Sequence, residues 1–409
     1  MDDVLVIGAG PAGAVAAALL AQKGYEVLVL ERQVFPRFSI GESLLANSMQ
    51  MLLEAGMAEA VQRCGFQYKN GAAFVYGTEK SDFNFVDKVT EGLPYTFQVP
   101  RAEFDQTLIN EAARYGARVR HQVEIIACDV SGERPVVTSR DADGGLQTHT
   151  PRFVLDASGF GRVLPRLLDL EKPSALPPRA ALFCHVKDNV VAGAFDRQKI
   201  RIGINPVDRD IWSWLIPFSN GNSSLGIVAS QEQHARYPGS LEERLWKMVA
   251  AEPALRELLA NAHAVRPVGE IVGYSANVKA LHGPGFALLG NAAEFLDPVF
   301  SSGVTIAIKS ASMAANLLDR QFRGEAVDWQ HDFAEGLMFG VETFRAFVNG
   351  WYDLSLQDVI FAPNKDPKIH RMICSVLAGY VWDPANPYNG PQSARRLHAL
   401  AQMCRKQVA

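Results

Sequence analysis

Residues 3–31 read DVLVIGAGPAGAVAAALLAQKGYEVLVLE, and few folds can house that run. A short apolar segment at 4–7 has the make-up of a buried strand. Gly8, Gly10 and Gly13 then give G-x-G-x-x-G, an alanine-rich helical stretch runs to Gly24, and a second apolar run closes on Glu31. Each part has a physical task in a strand–turn–helix–strand unit. Gly8 permits the tight turn, Gly10 lets backbone approach a pyrophosphate, and Gly13 lets helix pack close to strand. The helix N-terminus offers unpaired N–H groups and partial positive charge to phosphate oxygens. Glu31, at the end of the second strand, stands where an acid accepts bonds from an adenosine ribose. A dinucleotide is expected here.

Composition narrows what surrounds that unit. The chain has 409 residues, 48% apolar and 21% charged, with a net charge of −4, which suits one large α/β domain with an insertion or two to three domains. This charge balance speaks against a polyanion-binding face, so nucleic acid is not expected as a partner. Cysteines 64, 128, 184, 374 and 404 are odd in number, scattered and free of C-x-x-C spacing. They point to a reducing cytoplasm and to neither a disulfide framework nor a metal site. The first apolar run follows two aspartates rather than the basic segment of a signal peptide, and no uncharged stretch reaches spanning length.

Farther along, "IWSWLIPF" at 211–218 alternates its large residues. In a strand Trp212, Trp214 and Ile216 share one face, and Pro217 stops the ladder. Its neighbours from about 180 to 275 also read as strands with polar turns, and 131–135 and 171–178 read as loops. From 305 onward the pattern turns helical. Phe344, Phe347, Trp351 and Tyr352 recur there at helical spacing, as helix–helix core or as the lining of an aromatic site.

Three separated fragments complete the pattern: "RFSIGESLLANS" (37–48), "RFVLDASGFGR" (152–162) and "GPGFALLGNAAEFLDPVFSSGV" (283–304). With the first fingerprint they resemble the FAD-binding fold of flavin-dependent monooxygenases and their halogenase relatives. That resemblance implies an α/β fold with a Rossmann-like FAD domain, an inserted antiparallel sheet on the substrate side, and a helical C-terminal region. It implies FAD domain segments at 1–65, 101–170 and 276–335, substrate-side strands at 66–100, an antiparallel-sheet substrate domain at 171–275 and helices at 336–409. It assigns Gly41, Glu42 and Ser43 to a loop along the flavin and Arg101 to a helix start beside it. Asp156 and Gly159 become the central Asp-Gly element, and Gly290, Asn291 and Asp297 face the diphosphate and ribityl chain. Asn291 stands where the family usually has aspartate.

The halogenase branch is singled out by further residues. W-S-W-L-I-P matches the branch's W-x-W-x-I-P signature, in which Trp212 and Trp214 would separate flavin from substrate. Lys69, in "GFQYKNGAAFVYG" (65–77), matches its catalytic lysine, although alone it reads as a surface residue. Ser302 and Gly303 match a step whose backbone N–H groups hold halide. Phe300 replaces the glutamate of the tryptophan halogenases, which points toward phenol- or pyrrole-type rings. The resemblance thus implies a halogenase using reduced FAD, O₂ and chloride or bromide on a small aromatic substrate, free or tethered to a carrier protein. With only one dinucleotide fingerprint, a separate flavin reductase would supply the reduced cofactor. The alternatives are an oxygenase or dehydrogenase on the same frame without halide, and a flavoprotein acting on a residue of a partner protein.

Overall fold

A computed structural model describes residues 2–408. Its centre is a six-stranded sheet in the order 282–283, 286–288, 153–156, 4–7, 27–31, 118–121, parallel throughout except at its first pair. The core strands Val4–Ile7, Val27–Glu31 and Phe153–Asp156 are buried along their whole length. That is the burial of strands covered on both faces, which explains their unbroken apolar runs. Helix Pro11–Gln22 lies against helices Arg101–Arg114 and Ser302–Phe322, and its alanines let the three approach closely.

The second large sheet has eight strands. It runs 263–264, 180–187, 222–229, 212–217, 199–204, 71–76, 79–84, with 269–272 also paired to 180–187. Its pairings are antiparallel with one exception: Lys199–Ile204 runs parallel to Gly71–Tyr76, so chain from before residue 100 joins the later insertion in one sheet. The crossing into and out of the insertion is stapled where Glu171–Lys172 pairs with Asn277–Val278.

Strand Trp212–Pro217 is buried on both faces. Trp212, Trp214 and Ile216 face the main core. Leu215, with Ile211 before it, faces a smaller core beneath helices Leu241–Ala250 and Pro253–Leu258. The period-2 alternation therefore sorts one strand's side chains between two cores. The C-terminal helices Gly336–Tyr352, Ser355–Ile360, Pro367–Leu377 and Ser393–Val408 close over the remaining flank of both sheets. Among the described residues, no helix is long and apolar enough to cross a membrane, and no His/Cys/Asp/Glu group could hold a metal.

Candidate functional site

One elongated cleft runs from the glycine turn after the first strand to the face of the second sheet. At its first end Gly8 has φ +96°, and a Cβ there would sit 2.7 Å from the Ala157 carbonyl oxygen. Gly13 is packed against the Gly8 carbonyl so closely that no side chain fits between helix and turn. Gly10 lines the cleft, and so does the Glu31 carboxylate. Glu31 accepts the Ala9 N–H at 2.9 Å and the Gln33 N–H at 2.8 Å. The acid thus braces the turn as well as facing the cleft.

Two motif residues stand behind the wall rather than in it. Asp156 is fully buried and accepts the N–H groups of Ser158 (2.9 Å) and Leu164 (2.6 Å), which fixes the turn carrying Gly159 into the cleft. Burial pushes its carboxyl pKa up. Gly290, at φ +53°, donates its N–H to Ser310 Oγ, and a Cβ would crowd Ala307 at 2.9 Å. Its neighbour Asn291 does face the cleft, and the buried Asn291 Oδ1 has no hydrogen-bond partner.

Loop 37–43 forms one edge. Arg101, the first residue of its helix, donates to both oxygens of Asp105 (2.8 and 3.0 Å) and to the carbonyls of Ile40 (2.7 Å) and Gly41 (3.3 Å). Arg37 adds a third bond to Asp105 at 3.1 Å. Glu42 is tied to the second sheet through His185 Nε2, 2.5 Å away. Ser43 Oγ accepts from Lys69 Nζ at 2.7 Å, and the Leu44 carbonyl accepts from the same ammonium at 2.7 Å.

Lys69 is not on the surface. It is 1% exposed, its ammonium lies 5.4 Å from the centre of the Phe85 ring, and no carboxylate pairs with it among the described residues. Burial alone lowers its pKa to about 7. It does not line the cleft. Ser43 stands between them.

The sheet wall of the cleft consists of Ile200, Trp214 and Ile216. Trp214 donates its indole N–H to Ser224 Oγ at 3.1 Å, and Gly226 leaves space for the ring. Trp212 is set one layer back, 5.9 Å from Trp214 between ring centres, and takes no part in the lining. Its N–H reaches Tyr352 Oη at 3.1 Å. Tyr352 in turn donates to Asp297 Oδ2 at 2.8 Å, as does Tyr274 at 3.0 Å. Asp297 lines the cleft, accepts the Val299 N–H with its other oxygen, and has its pKa raised by burial. Phe344, Phe347 and Trp351 are packed in the core, while Phe300 sets its edge against Phe347 and Trp351. Of the aromatic helical row, Tyr352 alone is bonded to a cleft residue among the described residues.

At the far end Ser301 adopts a left-handed backbone (φ 56°) and starts helix Ser302–Phe322 with no side-chain cap. Ser302 and Gly303 line the cleft there, so the first turn of a long helix faces it. The residues present fit FAD. A cradle without side chains suits a pyrophosphate, the Glu31 carboxylate suits ribose hydroxyls, and the orphaned Asn291 oxygen suits a hydroxyl donor.

Sequence reasoning passed over His185, Tyr274 and Asp105. Only Asp105 carried a signal, as the acid four residues after Arg101 on one helix.

The chain matches the FAD binding domain family over residues 1–336. It is 28% identical over 430 aligned positions to a 1H-pyrrole-2-carbonyl-[peptidyl-carrier protein] chlorinase of Pseudomonas fluorescens, covering 98% of this chain and 92% of that one. It is 34% identical to a tryptophan 2-halogenase of Chondromyces crocatus, over 85% of this chain and 66% of that protein. Among solved structures, a flavoprotein/dehydrogenase from Cytophaga hutchinsonii superposes with a TM-score of 0.96 at 45% identity, covering all of both chains.

Proposed function

The chain belongs to the FAD binding domain family, in its flavin-dependent halogenase branch, and from that premise we propose that it halogenates an electron-rich aromatic ring of phenol or pyrrole type, free or carrier-tethered. It is an FAD-dependent enzyme of the oxidoreductase type. When bound and reduced, FAD supplies with O₂ the oxidising equivalent that turns chloride or bromide into hypohalous acid.

In this reading the glycine turn and Glu31 hold the adenosine half, and Asn291 and the first turn of helix Ser302–Phe322 meet the rest. Arg101 and Asp105 fix loop 37–43 over the cofactor. The N–H groups of Ser302 and Gly303 hold the halide, an anion at the positive end of a helix. Trp214 and Ile216 keep substrate off the flavin, and Trp212 backs Trp214. Lys69, whose pKa burial lowers to about 7 so that a substantial fraction is neutral amine near neutral pH, receives the oxidised halogen and presents it to the ring. A separate reductase supplies reduced flavin.

The observation that carries this reading is the position of Lys69, a fully buried amine with no carboxylate partner among the described residues, one hydroxyl away from the cleft. A structural lysine would be expected to be paired with an acid when buried this deeply. A second reading, oxidation or oxygenation without halide, is favoured by the fact that Lys69 does not open into the cleft. Both are tested by one experiment. FAD-loaded protein is reduced anaerobically and mixed with O₂, with and without bromide, in the presence of a phenolic dye that traps oxidised bromine. Bromination of the dye that disappears in Lys69→Ala supports the halogenase; flavin reoxidation indifferent to bromide, with no trapped bromine, supports the second reading.

A further inference from the structure

The wall that separates flavin from substrate also leaves open how a substrate reaches Lys69. On one side Lys69 meets Ser43 of the flavin loop; its other neighbour is the ring of Phe85. Phe85 follows strand Glu79–Asn84, on which Ser81 and Phe83 are the buried residues, so Ser81, Phe83 and Phe85 succeed one another at period-2 spacing. A second lysine stands at the far end of this row. Lys365 Nζ donates to Ser81 Oγ at 2.6 Å and lies 5.6 Å from the centre of the Phe83 ring. Lys69 at Phe85 and Lys365 at Ser81 and Phe83 thus flank one row of side chains, whose backbone from Ser81 to Phe85 spans about 13 Å when extended.

Lys365 faces two adjoining cavities. The outer one is bounded by Tyr76, Ser81, Arg209, Phe361, Lys365 and Arg405. The inner one shares Ala362, Lys365 and Cys404 with it and is walled by Phe83, His370 and Ile369. In the outer cavity four cations (Lys80, Arg209, Lys365, Arg405) meet two carboxylates (Glu79, Asp358), a local balance of +2 on a chain whose total is −4. Arg209 and Arg405 are both spent on Asp358. Lys365 has a hydroxyl as its hydrogen-bond partner and no carboxylate within ion-pair distance among the described residues. Asp366 also lines the inner cavity and Asp82 attracts Lys365 from a distance, yet this half-buried cation, set among Phe361, Phe83 and Ile369, has no carboxylate in direct contact among the described residues.

We infer that this paired cavity is a binding site for the anionic end of an aryl substrate, an oxyanion held by Lys365, with the apolar part directed along Phe83 toward Phe85 and Lys69. The ligand class is an aromatic or acyl-aromatic group bearing a phosphate or carboxylate at its far end. The source is either a free small molecule or the phosphodiester arm of a carrier protein. The direction toward Lys69 rests on the halogenase reading; the anion site does not.

The test uses FAD-loaded protein and phenyl phosphate as the probe, followed by calorimetric titration. One-site binding is expected, weakened at least tenfold in Lys365→Met, which keeps the aliphatic stem over Phe83, and regained in Lys365→Arg. No binding, or binding of equal strength in Lys365→Met, overturns the inference. Competition then separates the sources. Displacement of the probe by a phosphopantetheinylated carrier domain but not by its unmodified form assigns the arm, and displacement by benzoate-type acids alone assigns a free substrate. Failure of the halogenase reading is seen separately, as absence of bromide-dependent dye bromination in a protein that still binds the probe through Lys365.

Discussion

Trp212 donates its indole N–H to the hydroxyl of Tyr352 at 3.1 Å, and that hydroxyl donates onward to Asp297 at 2.8 Å. A residue of the C-terminal helices thereby joins the tryptophan strand to the loop that ends at Ser302. Tyr352→Phe should leave the Trp212 N–H buried without an acceptor, a loss of about 1–3 kcal/mol in stability. It should also reduce the fraction of oxidised reduced flavin that appears as halogenated dye, with FAD affinity nearly unchanged. Denaturant titration reads the first effect, and parallel counting of flavin turnover and halogenated dye reads the second. Equal yields in both proteins would reduce the chain of bonds to packing.

Lys69→Met should change how stability responds to pH. The folded-state pKa is about 7 and the ordinary value 10.5, so between them the unfolded chain holds a proton that the native protein lacks. Wild-type stability therefore rises through that window by up to about 1.4 kcal/mol per pH unit from this group, and the burial penalty is complete below pH 7. The methionine variant carries no such term. Its advantage in thermal melts is greatest at pH 7 and below and shrinks steadily toward pH 10.

Gly226→Ala should push Trp214 into the cleft. A Cβ at Gly226 would lie 2.1 Å from the Trp214 indole, against its six-membered ring and a fusion carbon. Overpacking of that kind costs about 1–3 kcal/mol, and FAD affinity measured by flavin fluorescence should fall about tenfold. Adding Trp214→Phe removes the colliding atoms and should recover most of the loss.

Asp105→Ala should loosen loop 37–43. Asp105 is fully buried and is the shared acceptor for Arg101 and Arg37, so its removal strands buried cation. The expected loss is about 3–5 kcal/mol, seen as a lower melting temperature, with weaker FAD binding as Arg101 releases the Ile40 and Gly41 carbonyls.

What could be read from the sequence follows the range of the forces involved. The glycine turn, Glu31 and the alternation of Trp212, Trp214 and Ile216 are local patterns, and local geometry dictates them. Asp156 and Gly290 were equally legible as motif residues, yet their work is to brace a turn through Ser158, Leu164 and Ser310, which no motif states. Glu42 with His185 and Trp212 with Tyr352 lie 143 and 140 residues apart in sequence. Such partners are chosen by the packing of two sheets and a helix. Lys69 shows the limit from the other direction: its surroundings in sequence, Tyr68 and Asn70, are those of an exposed turn, and only the fold of loop 43–44 over it creates the buried amine.

The cleft is walled by chain from Gly8 to Ala307, and this order has a consequence for biosynthesis. In chain order the glycine turn at 8–13 leaves the ribosome well before the Asn291–Ala307 wall. Domains fold as units during synthesis, so the nascent chain displays a pyrophosphate turn long before anything can close around the rest of the cofactor. The cleft can therefore enclose a coenzyme only once the Asn291–Ala307 wall has been made.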